Sequence, residues 1–299
     1  MLNFSLRTVN SVLLYELFSI KDDFEAFDAI GDIHSNHGNR ILTYIKDDKY
    51  IPIINENNNL AGVICTPAIA GKLADGLVKV LHHDPVLAFF SLVDYFGKKI
   101  GTINSSVILS DICAHQVSIA PFDVYVGKNV KIEPNVVILP GVVIEDNVVI
   151  RAGAVLGIDS FQHQRTTQGI FSPHHDGLLH IKSHVEIGAN STMSRGFSYR
   201  NTVIAEHNKI DAQTYIAHGT QIGNGNIICA GARIMGHVSI GDNGFIGPGS
   251  VISSRLKIGN NVKVSLGAVV TKNIHDGQHV TGNFAIEHEK FLTHLKKYI

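Results

Sequence analysis

The sequence predicts a mainly β protein whose body is a parallel β-helix, preceded by a small α/β domain. Three observations carry that prediction. From Ile204 to Val270 every sixth residue is Ile or Val, and the same step runs through Val126, Ile132, Ile138, Ile144, Ile150 and Leu156. Four residues after each anchor of the earlier block stands a second small or aliphatic residue: Val130, Val136, Val142, Val148 and Ala154. Glycine often follows the anchor, as at Gly127, Gly223, Gly241 and Gly259. A step of six matches neither the helical period of about 3.6 nor the strand period of about 2. It fits a coil in which each hexad supplies a short strand and a turn, the anchor pointing inward and Gly or Asn taking the positive-φ turn. The composition agrees, being 44% hydrophobic but only 7% aromatic, without Trp, and holding 28 Gly against 8 Pro.

Residues 1–100 carry no hexad and read as the α/β domain. Helical patterning covers 9–18, strand patterning covers 41–45 and 60–66, and a helix is expected over 86–96, bounded by Asp84-Pro85 and Gly97. The prism is expected over 101–283, with weaker hexads at Val107, Cys113 and Ile119 placing its start near residue 103. The register slips by one residue before Val126. A larger insertion spans 157–180, after which Ile181 and Ile187 resume the repeat, and a second slip separates Met193 from Ile204. Interruptions of a solenoid leave its wall and commonly carry function. Residues 284–299 are expected to form one short C-terminal helix.

Charge and cysteine usage exclude several classes. The 25 Lys and Arg balance 26 Asp and Glu, so nucleic acid is not an expected partner. No apolar run approaches membrane-spanning length and no basic segment precedes a signal-type core, so an integral membrane protein is not expected. Cys65, Cys113 and Cys229 are far apart and lack C-x-x-C spacing, which suits a reduced, cytoplasmic setting. The 17 histidines are the unusual entry in the composition.

Three stretches carry a family resemblance. They are Leu42-Thr43-Tyr44-Ile45-Lys46-Asp47-Asp48-Lys49-Tyr50, Ile216-Ala217-His218-Gly219 followed by Ile222-Gly223, and Met235-Gly236-His237-Val238. With the N-terminal domain and the repeat, the chain resembles the UDP-3-O-acylglucosamine N-acyltransferases of lipid A (lipopolysaccharide) synthesis, a family of hexapeptide-repeat acyltransferases. The resemblance implies a left-handed β-helix of three hexads per coil, a homotrimer with sites between neighbouring prisms, and transfer of an acyl group from a thioester to the amine of a nucleotide-linked amino sugar. The donor is an acyl carrier protein or CoA thioester, and no bound cofactor or metal is expected.

Each site residue has its own argument. Tyr44 and Tyr50 fall on the family's aromatic positions that hold uracil, a ring suited to stacking, and Asp47 falls where Asn is usual. His218 lies in the family's catalytic segment, and His can take an amine proton near neutral pH. One coil of 18 residues beyond 218 comes Gly236, whose backbone should stack beside His218 and whose N–H suits an oxyanion. His237 resembles a His of the related O-acyltransferases and is a candidate contact to donor or sugar nucleotide. Arg255 stands where the family carries a second His, and a guanidinium can hold pyrophosphate.

Several features depart from the family. Ser194-Arg195-Gly196 replaces Asp-Arg-Gly, the long C-terminal helices are largely missing, and Gly267-Ala268-Val269-Val270 with Val280-Thr281-Gly282-Asn283 resembles the ends of acetyl-CoA enzymes. These leave open an acetyl or short-acyl-CoA enzyme acting on an amino sugar for O-antigen or another surface glycan. A reading from another class is a nucleotide-sugar-binding scaffold without catalysis. The insertion histidines His163, His174, His175 and His180, with His184 beyond, raise a γ-carbonic-anhydrase-like zinc site. That site needs a second His five residues past His218, where this chain has Gly223.

Overall fold

The computed structural model describes residues 8–21, 24–35, 40–101, 104–112, 114–198, 200–282 and 287–296. Of the expected features, Cys113, Asn283, residues 284–286 and residues 297–299 lie outside these. Helix α1 (Ser11–Phe18) opens at Asn10, whose side chain accepts the Leu13 N–H. It starts two residues later than the patterning suggested because Val9 is extended and bridges Phe27. Four parallel strands follow in spatial order, β1 (Ala29–Ile30), β2 (Ile41–Tyr44), β3 (Leu60–Cys65) and β4 (Val78–Leu81). Short helices α2 (Ile51–Glu56) and α3 (Pro67–Ala70) connect the last three. Neither β4 nor α2 stood out in the sequence. Ile51, Ile53 and Ile54 favour a strand, but a 3-10 turn over Asp48–Tyr50 and Pro52 in the first turn start a helix instead.

Helix α4 (Pro85–Gly97) begins with Pro85 after Asp84, whose Oδ1 accepts the Leu87 N–H at 2.9 Å. It is buried along nearly its whole length because the β-sheet covers one side and the prism insertion the other.

The prism is a left-handed parallel β-helix. Among the described residues it has three parallel sheets of eight short strands. Ile216 pairs with Ile234, Ile222 with Ile240 and Ile228 with Ile246, so one coil is 18 residues and like hexads stack. The anchors line one continuous core from Val124 to Ile274. Burying an Ile or Val side chain stabilises the fold by about 1.5–3 kcal/mol, so the period is itself the energetic basis of the prism.

Two of the three corners repeat with little variation, but the third does not. On that corner fall the segment between strands Val155–Ile158 and Leu179–Ile181, then that between Thr192–Ser194 and Thr202–Ile204, then residues 217–220. Both interruptions of the period therefore leave the wall at the corner that carries His218. The insertion forms an antiparallel hairpin, Gln164–Thr166 with Gly169–Phe171, and is pinned to α4 at two points. Thr167 N–H donates to Asp84 Oδ2 at 2.6 Å, and His174 N–H donates to Asp94 Oδ1 at 3.0 Å. A last helix, α5, covers His288–Leu295.

Candidate active site

His218, Gly236 and the pair Ser254-Arg255 occupy successive coils of the irregular corner. His237 N–H donates to the His218 carbonyl at 2.9 Å, and Arg255 N–H to the Gly236 carbonyl at 3.0 Å. A Cβ on Gly236 would lie 2.5 Å from both Cε1 and Nε2 of His218, so the ring occupies the space that any other residue would need. Among the described residues the Gly236 N–H makes no hydrogen bond. At one of the other corners the N–H at this turn position is taken by a side chain about one coil on, as Lys128 N–H is by Asp146 at 2.7 Å and Asn224 N–H by Asp242 at 2.6 Å. Ser254 stands in that place above Gly236 and makes no such bond. Gly236 is buried and lines the cavity that His218 lines.

His218 is held from the insertion. Its Nδ1 lies 2.5 Å from Ser160 Oγ and its Nε2 lies 3.0 Å from Gln162 Nε2. Ser160 Oγ is also 2.9 Å from His175 Nε2, which accepts the Ser160 N–H at 3.1 Å. His175 is 1% exposed, packed against Phe197 with centroids 4.4 Å apart, and its Nδ1 lies 3.8 Å from Asp159 Oδ1. Arg195 Nε holds the same carboxylate oxygen at 2.6 Å. The other insertion histidines go elsewhere, His174 to Asp94, His180 to Glu145 and His163 to Ser172. Among the described residues no three His, Cys, Asp or Glu are grouped to hold a metal ion.

Aromatic rings join this corner to the N-terminal domain. Tyr44 at the end of β2 packs on Phe89 and on the edge of Phe90, Phe90 stacks on Phe197 at 5.9 Å, and Phe197 meets His218 edge-on at 5.6 Å. A 300 Å³ cavity reaches His218 and Gly236, and a 360 Å³ cavity lies between Tyr44, Tyr50 and Lys46; Asp32, Tyr44 and Arg255 line both. A third cavity of 710 Å³ is lined by Arg200, Arg255 and Lys257 with no carboxylate in its wall. Arg255 Nη1 pairs with Asp32 Oδ2 at 2.7 Å. The structure thus brings His218, Gly236, His237, Arg255, Tyr44 and Tyr50 around neighbouring cavities that share Arg255.

Asp47 is the exception. Its carboxylate caps the 3-10 turn by accepting the Lys49 N–H and pairs with Lys49 Nζ at 3.0 Å, and it does not line either cavity. A short acidic residue at the start of a turn satisfies local backbone donors first, and that competition is what the sequence comparison with Asn overlooked. Conversely, Ser160, Gln162, Phe197 and Asp32 were not marked by the sequence, and His175 was marked only among the insertion histidines as a zinc candidate. The signal that finds those in the prism is the shared phase of the insertion and the second slip with His218.

Burial, with a smaller push from Arg255, lowers the His218 pKa to about 4. Burial likewise takes His175 and His237 to about 3. All three rings are neutral at pH 7. Burial, then the Asp32 charge, raises Tyr44 to about 12, so it stays a phenol. Burial opposes ionisation of Asp159, but the Arg195 hydrogen bond and charge outweigh it and keep the carboxyl below the ordinary Asp value. His237 and Arg255 have φ of 59° and 65°, in the left-handed region where the other corners place Asn or Gly at most turns, with His184, His207 and Gln213 among the exceptions. Bulky side chains there cost of order 1–3 kcal/mol, a strain that tends to gather at functional sites.

The bacterial transferase hexapeptide (six repeats) matches residues 123–157 and 201–236, and the hexapeptide repeat of succinyl-transferase matches 237–272. UDP-3-O-acylglucosamine N-acyltransferase of Chlamydia pneumoniae is 44% identical over 81 residues, 27% of this chain and 22% of that protein. The enzyme of the same name from Rickettsia massiliae (strain Mtu5) is 44% identical over 80 residues, 26% of this chain and 23% of its own. The matched stretch is thus under a quarter of the length of these curated relatives. The solved UDP-N-acetylglucosamine acyltransferase from Campylobacter jejuni superposes with a TM-score of 0.52 at 18% identity, covering 65% of this chain and 81% of that one, and shows the shared fold. Among the described residues no helix is long and apolar enough to cross a membrane. The chain carries a left-handed β-helix built on bacterial-transferase hexapeptide repeats, and over about a quarter of its length it is similar to UDP-3-O-acylglucosamine N-acyltransferases.

Proposed function

We propose that this protein is an N-acyltransferase that moves an acyl group from a thioester to the amine of a nucleotide-linked amino sugar. The observation that carries the reading is a neutral buried His218 packed against Gly236 in one cavity, which shares Asp32, Tyr44 and Arg255 with the Tyr44–Tyr50 cavity. The amine lone pair attacks the thioester carbon, and the oxyanion that forms is stabilised by the Gly236 N–H. His218 Nε2 takes the proton that the nitrogen sheds, and the electron pair of that N–H bond stays on nitrogen. When the C–S bond breaks, the proton passes to the departing thiolate, leaving amide and thiol. Because burial disfavours imidazolium, His218 is free to accept at pH 7 and holds the proton only briefly. Tyr44 and Tyr50 border the place for the base, and Arg255, with the cationic wall of the 710 Å³ cavity, provides a place for pyrophosphate.

The names of the relatives support the amino sugar as acceptor, and the thioester is an acyl carrier protein or CoA conjugate. The homotrimer belongs to the same proposal. Ile227 and Phe245 are exposed side by side on neighbouring coils, 50% and 37% accessible, and supply apolar surface for a second copy; a monomer in light scattering contradicts this. The test is thiol release from acetyl-CoA, longer acyl-CoA and acyl carrier protein thioesters against UDP-, dTDP- and GDP-linked amino sugars. Turnover with one nucleotide amino sugar supports the proposal. Binding of a nucleotide sugar in calorimetry with no thiol released from any pair replaces it with the non-catalytic scaffold.

A further inference from the structure

The hydrogen bonds around Ser160 determine where the protons sit. A backbone N–H can only donate, so His175 Nε2, which receives the Ser160 N–H at 3.1 Å, carries a lone pair. That nitrogen has no proton to give, so its 2.9 Å contact with Ser160 Oγ is attractive only when Oγ–H donates, the lone pair being shared with the Ser160 N–H. Ser160 has spent its one hydroxyl proton, so the 2.5 Å contact with His218 Nδ1 is Nδ1–H donating to Oγ. A neutral imidazole with its proton on Nδ1 has a bare Nε2. The amide nitrogen of Gln162, a donor at 3.0 Å from that Nε2, fits the same assignment from the other side. His175, with Nε2 occupied as acceptor, carries its own proton on Nδ1, 3.8 Å from the Asp159 carboxylate that Arg195 holds.

We propose that Ser160 and His175 are positioning residues that fix His218 in the tautomer with Nε2 unprotonated, its lone pair held by the Gln162 amide until the substrate amine displaces it, and that share the charge it gains. The inference rests on the reading of His218 as the base. When Nε2 gains the amine proton, the Nδ1–H bond to Ser160 strengthens, and Ser160 Oγ–H leans further onto His175 Nε2. The one bond made and broken outside the substrates is Nε2–H of His218, and its proton passes on to the thiolate. Burial and the Arg195 charge oppose protonation of His175, which Asp159 on its far side only partly offsets, so the proton is not passed on to His175; Arg255 opposes charge on His218 and keeps its hold on the proton brief. The arrangement also gives the insertion its purpose: α4 pins the hairpin through Asp84 and Asp94, and the hairpin delivers Ser160, Gln162 and His175 to the corner.

Histidine-selective 15N NMR of the full chain at pH 7 tests this without substrate. The expected result is protonation at Nδ1 and a bare Nε2 for both His218 and His175, with Ser160→Ala moving His218 toward the other tautomer. With an active substrate pair, Ser160→Ala and His175→Phe should lower kcat by roughly 10- to 100-fold with KM within about threefold, and Ser160→Thr should restore kcat. A wild-type His218 protonated at Nε2, or Ser160→Ala with kcat within twofold of wild type, overturns the proposal. His218→Ala separates the two readings. If it is inactive while Ser160→Ala is fully active, only the positioning role fails; if it retains wild-type turnover, the base reading fails and the measured tautomer stands by itself.

Discussion

At the scale of single residues, the site depends on a contact that admits only glycine. Gly236→Ala would drive a methyl group into Cε1 and Nε2 of His218, so the ring must move or the turn must shift. The expected outcome is a loss of roughly 10²- to 10³-fold in kcat, comparable to losing an oxyanion donor, with an unchanged circular dichroism spectrum. Activity within twofold of wild type contradicts the proposed geometry. His218 and Gly236 were both legible beforehand, because the coil length of 18 fixes which residues stack. Ser160 and His175 were not, since an insertion has no period and its path is decided by contacts with α4. Asp47 holds a position in the chain that resembles a base-reading residue, but its side chain caps a turn and lines neither cavity.

At the scale of elements, the cooperation of α4 with the insertion is the decisive feature. Asp94 accepts both the backbone and the ring of His174 and pairs with Lys98, and burial of this carboxyl is outweighed by those bonds, which keep its pKa below the ordinary Asp value. Asp94→Ala should release one attachment of the hairpin. The expected outcome is faster tryptic cleavage at the exposed Arg165 and a kcat reduced by roughly tenfold, with the thermal midpoint little changed because the prism core is untouched. Unaltered cleavage would show that the hairpin does not need α4. Helix α4 was readable from Asp84-Pro85 and Gly97, and the prism strands from their anchors. The helix α2 was hidden by its β-branched isoleucines, and β4 by its shortness.

For the whole molecule, three buried neutral histidines make stability depend on pH. His218, His175 and His237 have folded pKa values of about 4, 3 and 3, against an unfolded value near 6.5. Below about 6.5 the unfolded chain binds protons that the folded chain refuses, so stability is full above that pH and falls as pH drops toward 4. The loss between pH 6.5 and 5 is at most about 2 kcal/mol per ring. Urea midpoints should therefore decline from pH 7 to 5, and His175→Phe should lessen that slope by about one proton. A flat profile contradicts the burial of these rings as neutral groups.

The central claim is that the prism corner and the N-terminal domain together build an acyl-transfer site whose base is His218. The most direct test is thiol release by His218→Ala at pH 7 with the best thioester and nucleotide amino sugar, beside nucleotide binding measured on the same sample. The account predicts turnover lower by roughly 10² to 10⁴ with nucleotide affinity nearly intact. Turnover equal to wild type would contradict it.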